Sequence, residues 1–67
     1  MIDWTACPDV ERTPGKVSGA WYVKGTRIPV QAVLDNAEDF TAEQIAREIY
    51  DLDADTVRRI LAFASQS

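Results

Sequence analysis

Residues 41–64 read TAEQIAREIYDLDADTVRRILAFA, and the fold turns on how that stretch is read. Its apolar residues fall into two groups. Ala42, Ile45, Ala46 and Ile49 follow i, i+3, i+4, i+7 spacing, and Val57, Ile60, Leu61 and Ala64 repeat it. That period places each group on one face of a helix. The first helix carries a full start signature: Thr41 as N-cap, Gln44 to close a capping box, and Phe40 with Ile45 as a hydrophobic staple. Tyr50-Asp51-Leu52 breaks the pattern. Asp53 then offers an N-cap for a second helix, and Asp55 adds negative charge in its first turn. Two short helices with a tight connection, each burying one stripe, make a helix-turn-helix.

Upstream, Ile28-Pro29 marks a junction. The residue before a proline prefers extended geometry, and proline itself suits the first position of a helix. A strand is therefore predicted to end at Ile28 and a helix to start at Pro29. Val30, Val33, Leu34 and Ala37 supply a third apolar quartet. This helix is predicted to end near residues 36–39, with Asn or Asp taking the left-handed conformation more usual for glycine. Before it, Ala20-Trp21-Tyr22-Val23 is rich in β-formers, Lys24-Gly25 can turn, and Thr26-Arg27-Ile28 can return. These predict a small hairpin over residues 21–28. Pro14-Gly15 and Ser18-Gly19 are turn signals, with Lys16-Val17 able to pair as a strand between them. Residues 1–10 read as a short strand or an irregular arm, with Trp4 as a packing residue. The expected chain is mostly α with a short β-hairpin: an arm over residues 1–18, then one hairpin-plus-three-helix domain over residues 19–64.

A chain of 67 residues makes one domain and buries only about 60% of the surface its unfolded form exposes. Cys7 is the sole cysteine, so no internal disulfide can help. A lone thiol suits a reducing cytoplasm, the expected location. No apolar run approaches the ~18 residues of a membrane span, and no leader pattern precedes a cleavage site. Self-association is the staple that remains for so small a core. The open edge of a hairpin gives two copies a place to pair, so a homodimer is expected. Trp21, Tyr22, Val23, Ile60 and Phe63 are the candidate interface for a second copy or a partner protein.

The net charge of −4 is unevenly spread. Residues 1–11 hold Asp3, Asp9 and Glu11 and no base. Residues 12–30 hold Arg12, Lys16, Lys24 and Arg27 and no acid, and residues 31–67 hold Arg47, Arg58 and Arg59 against eight acids. An acidic total argues against avid, non-specific phosphate binding, which needs Lys and Arg gathered on one surface. Any contact with DNA has to use the basic segment together with the last helix. There Arg58 and Arg59 lie off the apolar stripe, as base-reading residues of a second helix do. The candidate DNA contacts are accordingly Lys24, Arg12, Lys16, Arg58 and Arg59. Against this, Asp55 stands one turn before both arginines of the last helix, a spacing at which they pair on a solvated face.

Catalytic chemistry has few resources in this chain. With no histidine and one cysteine, there is no Cys/His or Ser/His pair and no zinc ligand set. Asp51-Leu52-Asp53-Ala54-Asp55 starts like a calcium loop, but Thr56 stands where its glycine belongs and Ala62 where its glutamate belongs. The three glycines are single turn residues, not a phosphate loop. No catalytic residue, metal or cofactor is expected, and the chain reads as a binding protein, not an enzyme.

The run Gly25-Thr26-Arg27-Ile28-Pro29-Val30 precedes a Thr-x-x-Gln-Ile-Ala helix and a Leu…Val…Leu-Ala-Phe-Ala helix. This combination resembles the domain-of-unknown-function 433 family, small bacterial and archaeal proteins thought to be VapB-type antitoxins. The likeness runs from about Gly19 to Ala64, and the hexamer GTRIPV is its most specific part. It implies a homeodomain-like or winged helix-turn-helix fold, often dimeric. It also implies a toxin–antitoxin role, with a PIN-domain ribonuclease as toxin and promoter DNA as autoregulatory target. Within the motif, it implies that Gly25 makes the turn, Arg27 anchors the hairpin to the helices and Pro29 starts the first helix. The chain departs from the pattern at Asp39, where relatives commonly carry glycine, and at Tyr50-Asp51, where they often carry proline. Antitoxins usually neutralise their toxin with an additional segment; few residues follow Ala64, which leaves residues 1–18 as the candidate.

Two functions are open on this reading. One is a DNA-binding antitoxin and autoregulator that docks its last helix in the major groove. The other is an adaptor that recognises a partner protein through Ile60, Phe63 or the hairpin and never touches DNA.

Overall fold

Three helical segments and two short strands build the molecule. In the computed structural model, which describes residues 2–66, α1 is Val30–Asn36 and α2 is Ala42–Gln44, continued by a π-helical turn Ile45–Ile49. The last helix, α3, is Ala54–Ser65. Strands β1, Val10–Glu11, and β2, Tyr22–Val23, precede the helices, and 3₁₀ turns sit at Trp4–Ala6 and Val17–Gly19. The expected class holds: mostly α, with a small antiparallel sheet near the N-terminus and α2 and α3 as a helix-turn-helix pair. No helix among the described residues is long and apolar enough to cross a membrane.

The helix starts follow the local chemistry closely, with informative departures. Thr41 N–H donates to Gln44 Oε1 at 2.9 Å and Gln44 N–H donates to Thr41 Oγ1 at 3.1 Å, closing the capping box. The staple does not form: Phe40 is 44% exposed and lies outside the core that holds Ile45. Ile49, expected inside, is 38% exposed. The π-helical turn explains it. Tyr50 N–H donates to Ile45 C=O at 3.0 Å, five residues back. A turn that takes in an extra residue shifts the register of the apolar stripe, so Ile49 leaves it, and Tyr50 and Leu52 pack on the core instead.

Pro29 takes the N-cap of α1, and the helix ends at Asn36 without the expected left-handed residue. Ala37 stays right-handed at φ −67°, and Asp39 and Phe40 N–H both donate to Asn36 C=O, so the end is closed by tightening turns. Asn36 uses its side chain inside the helix, donating Nδ2–H to Ala32 C=O at 2.8 Å. At α3, Asp53 occupies the N-cap position, but its carboxylate accepts from the Thr56 hydroxyl at 3.3 Å and takes no backbone N–H.

The sheet differs most from expectation. The longer pairing of β2 is with β1, in the register Val10↔Val23 and Glu11↔Tyr22. The return after the tight turn makes only a bridge, Tyr22↔Pro29, because proline has no N–H to extend a ladder. Strand β2 therefore has neighbours on both sides, and the edge expected to recruit a second copy is occupied. Lys16-Val17 forms no strand. Val17, Ser18 and Gly19 all have positive φ (52°, 55° and 78°), a left-handed turn that is strained for a β-branched residue.

Alternation along the sheet separates two interiors. Val10 and Val23 face the main core, with Val30 and Val33 of α1, Ile45 and Ala46 of the π-helical turn, and Val57 and Ile60 of α3. Fully burying one such side chain contributes about 1.5–3 kcal/mol. Trp4 closes one side of this core, its ring stacked on Phe63 at 5.3 Å. On the opposite face Tyr22, though almost fully buried, lies outside that cluster. Its hydroxyl donates to Glu11 Oε1 at 2.9 Å and shares a 2.7 Å hydrogen bond with Thr13 Oγ1, and Lys16 Nζ lies 4.5 Å from its ring centroid. The radius of gyration, 11.0 Å, matches the ~11 Å of a folded chain this long.

Candidate functional site

The GTRIPV turn is a rigid corner between β2 and α1. Gly25 sits at φ +81°, and a Cβ there would meet nothing within 4 Å, so the position needs glycine for conformation and not for space. Thr26 does the fastening. Its hydroxyl donates to Val23 C=O at 2.8 Å and accepts Ile28 N–H at 3.0 Å. Val23 N–H donates to Ile28 C=O at 2.9 Å, and Val30 N–H donates to Trp21 C=O at 3.0 Å, tying the corner to the helix start. Arg27 does not anchor the hairpin. It is exposed, and no hydrogen bond or ion pair among the described residues uses its guanidinium. The short hydroxyl closes the corner through backbone groups, which leaves the long side chain nothing to fasten.

The arginines of α3 are on its outer face as expected, and both are held by carboxylates. Arg58 donates from Nη2 to Asp55 one turn back and from Nη1 to Glu43 Oε1 of α2 at 3.2 Å. The hydrogen bond from Arg58, with its charge second, holds the Asp55 carboxyl below its usual range, and the same bond raises Arg58. Arg59 reaches across the molecule. Its Nε and Nη2 both donate to Asp9 at 3.0 Å, a two-pronged grip on one carboxylate, and Nη2 also donates to Thr56 Oγ1 at 3.2 Å. This hydrogen bonding to Asp9 raises Arg59. Asp9 is a junction in its own right: its side chain is only 15% exposed, and its carbonyl accepts Lys24 N–H at 2.9 Å.

The basic segment divides into two kinds of cation. Lys16 covers the Tyr22 ring, and the Arg12 guanidinium lies over the Trp21 ring, 5.5 Å from its centroid. The side chains of Lys24 and Arg27, on either side of Gly25-Thr26, are exposed and have no hydrogen-bond or ion-pair partner among the described residues. The five candidate DNA contacts are thus not one free basic surface. Arg58 and Arg59 are paired, Arg12 and Lys16 stand over aromatic rings, and Lys24 alone is uncommitted. Of the candidate partner residues, Tyr22, Val23 and Ile60 are buried in the chain's own interior, and Phe63 stacks on Trp4. Trp21 is half-buried and lines a cleft of about 240 Å3 with Trp4, Ala20, Pro29, Val30 and Gln31.

Sequence reasoning missed the work of Thr26, Asp9 and Glu11. A threonine two residues before an N–H is a known turn device, so Thr26 had a readable signal. The Asp9–Arg59 pair spans 50 residues of sequence and had none.

Neither the comparison with curated proteins nor that with solved structures returned a match. Residues 10–64, which take in β1, the GTRIPV corner, α1, α2 and α3 up to Ala64, match the family described as "Protein of unknown function (DUF433)". That span is well over half of the chain, which therefore belongs to the DUF433 family.

Proposed function

We propose that the chain is the antitoxin-like member of a cytoplasmic toxin–antitoxin pair, a binding protein and not an enzyme, and that it acts chiefly as a protein-binding adaptor. The antitoxin-like role is drawn from the resemblance carried by the GTRIPV motif, and a PIN-domain ribonuclease is the partner it suggests. One observation favours protein over DNA as the primary target. The two arginines that a helix-turn-helix would turn to base edges are held by Asp55, Glu43 and Asp9. Those acids repel phosphate as well. What the chain leaves uncommitted is instead the exposed Lys24 and Arg27 at the corner and the largely apolar cleft lined by Trp21. A homodimer remains part of the proposal. With Tyr22, Val23 and Ile60 inside the fold, its interface would draw on Trp21, Phe40 or Ile49.

A second reading, the DNA-binding autoregulator, has its own support. The Arg58 and Arg59 side chains are 50% and 56% exposed, and exposed ion pairs contribute little, so phosphate can compete for them. In that mode Asp9 is a built-in competitor that occupies the guanidinium edge a phosphate would take.

Co-expression with the product of the adjoining gene tests the first reading. A stable complex that suppresses the ribonuclease activity of that product supports it. Two proteins that purify separately, with the ribonuclease unaffected, overturn it.

A further inference from the structure

We propose that the cleft between Trp4 and Trp21 is the docking site for an acidic segment of a partner protein that carries one apolar anchor side chain. The inference rests on the protein-binding reading above and gives that partner a chemistry. At about 240 Å3 the cleft is smaller than the usual small-molecule site, and it suits one large side chain. Its walls are apolar except for Gln31. Gln31 Nε2 donates to Asp35 Oδ1 at 2.9 Å, which leaves its amide oxygen to accept an N–H from a bound peptide. The walls are also fixed in advance. Trp21 C=O accepts Val30 N–H at 3.0 Å, and Trp4 is stacked on Phe63, so little ordering is left to be done on binding.

Charge selects the occupant. Residues 12–30, which supply Ala20, Trp21, Pro29 and Val30 of the cleft's lining, contain four bases and no acid. Arg12 lies over the same indole that lines the cleft. A guanidinium over a ring keeps its N–H donors at its edge, and no hydrogen bond among the described residues uses those of Arg12. That edge matches a carboxylate with two parallel bonds. On the helical side of the cleft Gln31 is bonded to the Asp35 carboxylate, which repels an acidic segment, so charge complementarity places the partner's carboxylate on the Arg12 side. A partner side chain in the cleft with a carboxylate on Arg12 uses both features at once.

Both tryptophans of the chain line the cleft, so the intrinsic tryptophan emission of the unaltered protein reports on it. The probe is a capped pentapeptide, Asp-Glu-Leu-Glu-Asp. Its controls are Lys-Lys-Leu-Lys-Lys and the acidic peptide with glycine in place of leucine. The expected result is a saturable change in tryptophan emission with the acidic peptide, about tenfold weaker when glycine replaces leucine and about tenfold weaker in Arg12→Gln. Gln31→Ala, which disturbs no core side chain, is expected to weaken binding severalfold and guards against a folding artefact at Arg12. No saturable change up to millimolar peptide, equal binding of the lysine peptide, or indifference to Arg12→Gln overturns the proposal. Displacement of the peptide by random duplex DNA with the same Arg12 dependence also overturns it, because the surface is then a phosphate site. The two readings fail separately. A complex with the adjoining gene's product that survives Arg12→Gln removes the cleft and keeps the adaptor. Peptide binding without any such complex keeps the cleft and removes the antitoxin-like role.

Discussion

Residues 41–65 and residues 10–30 are held together by different means. The helix-turn-helix is an apolar construction: Ile45, Ala46, Val57 and Ile60 are buried side by side, and the polar groups outside them pair on the surface. The basic segment buries fewer apolar side chains and is stitched by polar links. Thr26 closes the corner, Glu11 and Thr13 hold the Tyr22 hydroxyl, and Asp9 ties the segment to Arg59. Apolar burial is spread over many neighbours and tolerates local change. A hydroxyl that serves two backbone groups does not, because its loss leaves both without a partner. The uncommitted cations and the cleft belong to the stitched region, so the surface proposed to bind stands on the part held by few, specific bonds.

Substitutions can break this contrast in graded steps. Ile60→Ala, which empties a fully buried position on α3, is expected to cost about 2–5 kcal/mol in urea unfolding. A smaller loss would mean that the helical core is not close-packed. Thr26→Val keeps the shape and removes the hydroxyl. An unfolding cost of about 1–3 kcal/mol is expected, since Ile28 N–H loses its acceptor. Arg27→Ala, one residue away, is expected to shift stability by no more than about 0.5 kcal/mol. Equal effects at the two positions would show that the corner is not fastened by the threonine.

The smallest expected effect is a pH-dependent one. Arg58 holds the Asp55 carboxyl below its ordinary range. A depressed carboxyl stabilises the folded chain above its unfolded pKa of about 3.9, and that contribution fades as pH falls through the lower folded value. Asp55→Asn should therefore lower Tm slightly near neutrality, and the difference from wild type should vanish in strong acid. A Tm difference that is constant from neutral pH into strong acid would mean that charge is not its cause.

The contrast also explains what could be read from residues alone. The quartets from Val30 and from Val57 pack on the core, Val30, Val33, Val57 and Ile60 buried and the other four partly so, because helical period is a property of the local sequence. The Thr41–Gln44 capping box was legible for the same reason. Ile49 was misplaced because the extra residue of a π-helical turn leaves no mark in the apolar spacing. The sheet was half legible: Gly25 and the turn were visible, but the pairing of Val10 with Val23 depends on a connection whose left-handed turn at Val17 and Ser18 violates local preference. At the candidate site, the outward placement of Arg58 and Arg59 could be read from helix geometry. Their capture could be read only in part: Asp55 is a helix neighbour, whereas Asp9 and Glu43 come from other elements.

The claim that the α3 arginines serve the fold's own acids, and not base edges, is tested most directly by a salt-titrated binding assay. Fluorescence anisotropy would follow a duplex of the gene's own promoter and a random duplex of equal length, with wild type and an Arg58→Ala, Arg59→Ala double variant. The expected result is weak binding that does not distinguish the two duplexes and changes little in the double variant. Promoter binding at least about tenfold tighter than random, lost when the two arginines are removed, would contradict it.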